Sequence, residues 1–108
     1  MIKTDRMNYL LDFYKDLLTD HQKEIAELHY YEDLSLSEIT DHTQNSRAAV
    51  HETLKRVETL LEEYESKLHL VDKYIRRKAH LDALRALNIT QVTQIADQLD
   101  DLDQKEPQ

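Results

Sequence analysis

The stretch "LSLSEITDHTQNSRAAVHETLKR", Leu34 to Arg56, decides the fold. Ser35 stands three residues before Glu38, a pairing in which the hydroxyl accepts a free backbone amide at a helix start and the carboxylate reaches back to another. Leu36 and Ile39 share the face of that helix, "TQN" interrupts it, and Ser46 is placed to cap a second one. A short helix, a tight turn and a longer helix make a helix-turn-helix, where the first helix braces the second so that residues near its N-terminus meet a partner surface. Ile39, Val50 and Leu54 are the expected bracing contacts. Arg47, Ala48, His51, Glu52 and Lys55 are expected to face outward.

A motif of this kind raises the question of nucleic acid. The candidate binding residues are Ser46 and Arg47 at a groove, His51 beside them, and Lys55 and Arg56 on phosphates; only Arg47 suits a two-pronged guanine contact. Charge argues the other way. Within the stretch Arg47, Lys55 and Arg56 are balanced by Glu38, Asp41 and Glu52, and the whole chain carries a formal charge of −8. Residues 1–65 hold seven Lys/Arg against fifteen Asp/Glu, whereas 66–108 hold seven of each. The acidity lies in the half that contains the motif, where it repels phosphates, so DNA is a disfavoured partner.

Helical signals extend to both sides of the motif. In "TDRMNYLLDFYKDLLTD" the residues Met7, Leu10, Leu11, Tyr14, Leu17 and Leu18 fall on one stripe and predict a first helix. Thr19 with Gln22 repeats the capping signature and opens a second, with Ile25, Leu28 and Tyr31 directed inward. After the turn, Val50, Leu54, Val57, Leu61, Tyr64, Leu68, Val71 and Ile75 keep a heptad rhythm, predicting a long fourth helix of roughly 25 residues, about 37 Å at 1.5 Å per residue. That is more than a small bundle covers. Its far half, with Val57, Leu61, Tyr64, Leu68, Val71 and Ile75 as packing positions, is expected to meet a second subunit in a homodimer or C-terminal helices folding back. "LHLV" widens the stripe and leaves a break near His69 to Asp72 as the alternative. Asn88 with Gln91 resembles a further cap, before a last stripe of Val92, Ile95, Ala96, Leu99 and Leu102.

Composition narrows the chemistry. A chain of 108 residues supplies one modest core; it has no Gly and only Pro107, so phosphate-cradling glycine loops are unavailable. The absence of Cys excludes disulfides, thiolate metal sites and a cysteine nucleophile, and fits a reducing compartment. The six His, at 21, 29, 42, 51, 69 and 80, are never three or four apart, so no helical face presents paired imidazoles. Glu62, Glu63 and Glu65 read as a solvated face, with Lys67 in reach of Glu63. Tyr30 and Tyr31 read as one ring in the core and one at its edge. No catalytic residue, metal or cofactor is expected. No segment approaches about 18 uncharged apolar residues, so membrane insertion is not expected and the cytoplasm is.

"KYIRRKAH", Lys73 to His80, concentrates positive charge: Lys73, Arg76, Arg77 and Lys78 form a candidate surface for RNA phosphates, a membrane face or an acidic protein. The competing reading pairs Arg76, Arg77 and Lys78 with Asp97, Asp100, Asp101 and Asp103 within the chain.

The blocks "LLTDHQ", "LHYYEDLSLSEI" and "SRAAVHETLKRVETLLEEYESKL" resemble the YlxM family of small bacterial proteins, whose helix-turn-helix is similar to the last DNA-binding region of primary sigma factors. The resemblance runs from about Arg6 to Leu70. Thr40, Thr43, Gln44 and Asn45 depart from the Ala, Phe, Gly and apolar residue of that pattern, and Ala48 from a Gln. What the resemblance implies is an accessory or regulatory role in the signal recognition particle pathway, with the particle protein, its RNA or its receptor as partner. The combined expectation is an all-α, sigma-region-4-like bundle over 1–65, a helical and dimerising extension over 66–103, and a flexible tail over 104–108. A DNA-binding transcriptional regulator is the alternative.

Overall fold

The computed structural model describes residues 3–104. Among them every regular element is helical: α1 (Lys3–Tyr14), a 3₁₀ turn (Lys15–Leu17), α2 (Asp20–Ala26) running into a π-helical segment (Glu27–Tyr31), α3 (Leu36–Thr43), α4 (Arg47–Leu68), α5 (Leu70–Arg85) and α6 (Thr90–Gln104). The expected tail lies outside the described residues from 105 onward. The chain divides into two compact units, residues 1–69 and 70–108.

In the N-terminal unit the helix starts fall where the caps place them. Thr19 Oγ1 accepts from the Gln22 amide at 3.1 Å while Gln22 Oε1 accepts from the Thr19 amide at 3.0 Å. Ser35 and Glu38 repeat the exchange at 3.2 and 3.1 Å, and Ser46 Oγ accepts from the Ala49 amide at 3.1 Å. Each satisfies amides that a helix start leaves without a partner, worth about 1 kcal/mol apiece. Met7, Leu10, Leu11, Tyr14, Ile25, Ile39, Val50, Val57 and Leu61 are buried.

Helix ends are less ordinary, because the chain has no glycine to close them. Asp33, Gln44, His69 and Asn88 take left-handed backbone conformations, at φ 59°, 63°, 56° and 57°, each a side-chain-bearing residue where glycine is the usual choice. Asp33 lets the Leu34 amide reach back to the Leu28 carbonyl at 3.0 Å. His69 stops α4, so the heptad rhythm does not continue as one helix: α4 has 22 residues and the chain restarts at Leu70. Asn88 does not start the last helix; it closes the turn after α5, and Ile89, whose carbonyl accepts from the Thr93 amide at 2.9 Å, holds the cap position.

Two inward residues differ from expectation. The first helix ends at Tyr14, and Leu17, in the 3₁₀ turn, is exposed. In the second, the π-helical turn after Ala26 changes the period, so that Tyr30 packs on the core while Tyr31 is exposed and donates to the Asp12 carboxylate.

The C-terminal unit is the hairpin of α5 and α6. Leu81 and Ala96 are buried, but ion pairs line much of the seam. Arg77 Nε and Nη2 donate to Asp103 at 2.7 and 3.0 Å, and Arg85 reaches Asp97 at 2.9 Å and Asp100 at 3.0 Å.

Candidate nucleic-acid and partner interface

The bracing of the motif is a cluster of Ile25, Leu28, Ile39, Val50 and Leu54, with Tyr30, Leu34 and Leu36 packed against it. It holds α3 against the first two turns of α4. Tyr30, from the π-helical segment, also donates to Glu58 at 2.6 Å; burial first, and that carboxylate second, raise its hydroxyl pKa above the ordinary tyrosine value.

The turn keeps its left-handed residue although Gly is replaced. Gln44 donates its amide to the Thr40 carbonyl at 2.8 Å. Thr43 Oγ1 donates to the Ile39 carbonyl at 2.8 Å and accepts from Asn45 Nδ2 at 3.1 Å. The polar side chains of Thr43 and Asn45 therefore bind the turn. A left-handed Gln costs about 1–2 kcal/mol of backbone strain, partly offset by the greater entropy that Gly has when unfolded. Gln44→Gly is accordingly expected to raise the unfolding free energy by about 0.5–1 kcal/mol; a denaturant midpoint that falls would contradict backbone strain at Gln44.

Ser46, Arg47, His51, Lys55 and Arg56 are all exposed at the start of α4. Arg47, His51 and Lys55, four residues apart, form one row. Two of the five already have partners inside the motif: the Ser46 hydroxyl caps α4, and Arg47 Nη1 donates to Ser37 Oγ at 3.2 Å, back to α3.

Two of the four cations in the basic stretch of α5 are ion-paired. Arg76 pairs with Asp72 at 2.9 Å, Arg77 with Asp103 at 2.7 Å, and Lys78 Nζ lies 5.9 Å from the Tyr74 ring centre. Lys73 is exposed. Of the aspartates expected to answer Arg76, Arg77 and Lys78, Asp103 is answered by Arg77, while Asp97 and Asp100 pair with Arg85, which lies beyond the Lys73–His80 stretch. The packing positions Val57 and Leu61 are fully buried within the N-terminal unit, and the Tyr64 hydroxyl donates to the Leu17 carbonyl at 3.4 Å. A second subunit cannot use Val57 and Leu61 unless that core opens. Val71 is buried too, whereas Leu68 and Ile75 are exposed.

The glutamate run of α4 is not a uniform solvated face. Glu65 is buried and accepts from the Tyr14 hydroxyl at 2.6 Å. Glu62 accepts from Arg6 Nε and Nη2 at 2.9 and 2.8 Å, and that guanidinium, before any opposing effect of burial, holds the Glu62 carboxyl below its ordinary range. A depressed folded-state pKa means stability present above the unfolded value near 4.5 and lost as pH falls through the folded value. Arg6→Gln should flatten the acid limb of a stability-versus-pH curve below about pH 4.5; an acid limb identical to that of the parent would show that the pair contributes nothing there.

Among the described residues no helix is long and apolar enough to cross a membrane, and no group of three or more His, Asp or Glu could hold a metal ion. A short bracing helix, a tight turn and a capped helix with an exposed N-terminal row define a helix-turn-helix protein, here built into an acidic all-α bundle. The chain belongs to the UPF0122 family, YlxM / p13-like helix-turn-helix proteins, whose model matches residues 1–102. It is 49% identical over 87 residues to a UPF0122 protein of Exiguobacterium sibiricum, covering 81% of this chain and 82% of that one. To a UPF0122 protein of Bacillus licheniformis it is 51% identical over 85 residues, 79% of each chain. To UPF0122 protein YlxM of Bacillus subtilis it is 48% identical over 85 residues, 79% of this chain and 77% of the relative.

Proposed function

We propose that this protein is a non-enzymatic accessory or regulatory factor of signal recognition particle-dependent protein targeting, acting in the cytoplasm by binding the particle protein, its RNA or its receptor. The pathway is the one the YlxM resemblance implies. The observation that carries a binding role away from DNA is electrostatic: the helix-turn-helix scaffold is retained while the net charge is −8 and Arg76, Arg77 and Arg85 are ion-paired inside the chain. A duplex reader depends on neutralising phosphates, so cations already paired at short range weaken that grip.

The second reading, a DNA-binding regulator, draws on the exposed row Arg47, His51 and Lys55. A pull-down with the full chain from native lysate, with and without nuclease, separates the two. Particle components retained after nuclease support the protein-contact reading, and components lost with RNase point to the particle RNA. Charge reversal at Lys73 and Arg76, two exposed cations of α5, should then weaken retention several-fold; Arg77 is left intact because it holds Asp103. Recovery of DNA alone, with affinity that falls steeply with salt and vanishes in Arg47→Ala, would replace the proposal with the regulator.

A further inference from the structure

The hairpin of α5 and α6 buries little of its own apolar surface. Its inward residues on α6 are Ala96, fully buried, and Asp100 and Asp103, whose side chains are only 17% and 20% exposed in their ion pairs. The large apolar side chains of the same helix lie on the neighbouring stripe: Ile95 is 58% exposed, Leu99 44% and Leu102 75%, with Val92 half-buried at the loop end. Leu87 and Ile89 of the connecting turn are 59% and 48% exposed. The period of α6 predicts an amphipathic helix, but arginine–aspartate pairing turns its polar edge toward α5 and leaves the apolar edge uncovered.

We propose that this stripe of α6 is the interface with a second copy of the chain, packed α6 against α6 about a two-fold axis. The inference goes beyond the partner reading above and does not depend on it. Three observations favour a second copy as the occupant. First, Leu87, Ile89, Ile95, Leu99 and Leu102 expose on the order of 500 Å² of apolar surface, so two copies bury about 1,000 Å², the size at which specific interfaces begin. Second, a unit of fewer than 40 residues with so small a core falls in the range where small folds usually need association or cross-links. Third, the border of the stripe is self-compatible. Gln91, Gln94 and Gln98 each stand one residue before Val92, Ile95 and Leu99, all three exposed. Their amides both donate and accept, so a copy meets its like without the repulsion a charged border would impose. Residues 66–108 are charge-balanced, whereas two copies meeting through the first 65 residues would bring together halves that each carry an excess of acidic over basic side chains.

Light scattering after size-exclusion chromatography tests the interface on the full chain at roughly 100 μM, where even a micromolar complex is mostly formed. The expected mass is twice the 12.9 kDa of one chain, and Ile95→Glu with Leu99→Glu should halve it while helical circular dichroism is kept. Because the chain has no Cys, Gln98→Cys is a clean second probe, expected to form a disulfide-linked dimer under mild oxidation at least ten-fold faster than Glu52→Cys in α4. A parent chain that stays monomeric, a dimer that survives the double substitution, or equal cross-linking of the two cysteine variants would each overturn the proposal.

Discussion

Tyr14→Phe is expected to lower the unfolding free energy by about 2 kcal/mol, from the removal of one oxygen atom. The Tyr14 ring is 1% exposed and 5.9 Å from the Tyr64 ring centre, so Phe fills the same space. What is lost is the 2.6 Å bond that the hydroxyl donates to Glu65, itself buried in α4. A hydrogen bond to a carboxylate contributes about 1.5–3 kcal/mol, and the acceptor left behind must still be kept from water. Glu65→Leu made in the Tyr14→Phe background should recover most of the loss, because the polar partners are then removed together. Denaturant unfolding of the two single variants and the double one gives the coupling energy directly. Additive losses would mean that the two side chains do not act as a pair.

Ile39→Ala should be the more damaging substitution, costing about 3 kcal/mol, with Ile39→Val costing about 1 kcal/mol. Ile39 has no solvent exposure and sits where α3 meets Val50 and Leu54 of α4. Removing three carbons leaves a cavity under the turn, which the four-residue spacing of Val50 and Leu54 cannot close without moving α4. Hydrogen exchange should then accelerate at the Ala49 and Val50 amides, whose acceptors are the Ser46 hydroxyl and carbonyl. Unchanged protection there would mean that α4 is positioned by Val57 and Leu61 alone. The outcome bears on function in either reading, since the row Arg47, His51 and Lys55 is presented only as firmly as α4 is braced.

The starts of α2, α3 and α4 were legible in the sequence because a cap involves atoms three residues apart: Thr19 with Gln22, Ser35 with Glu38, and Ser46 with Ala49. The bracing set was legible for a similar reason. Ile39, Val50 and Leu54 fall on helical faces whatever those faces meet, and burial of apolar side chains is nondirectional. Even the family's departures at the turn could be named as residues, though not the way Thr43 and Asn45 bind one another around a left-handed Gln44.

Partners of polar groups were not legible, because they depend on which helices become neighbours. Glu65 belongs by neighbourhood to an acidic run; only packing brings it under Tyr14, 51 residues away. Arg77 and Arg85 differ little in sequence context from Arg76, yet both reach α6, Arg85 while also pairing with Asp82 of its own helix, whereas Arg76 pairs with Asp72 along α5. The same holds for the apolar stripes of α4 and α6. Local sequence determined that α4 and α6 would each have an apolar edge. Tertiary structure decided that the first would be spent inside the core as far as Leu61 and the second left facing water, because salt-bridge geometry, which is directional and spans the chain, fixed how α6 turns toward α5.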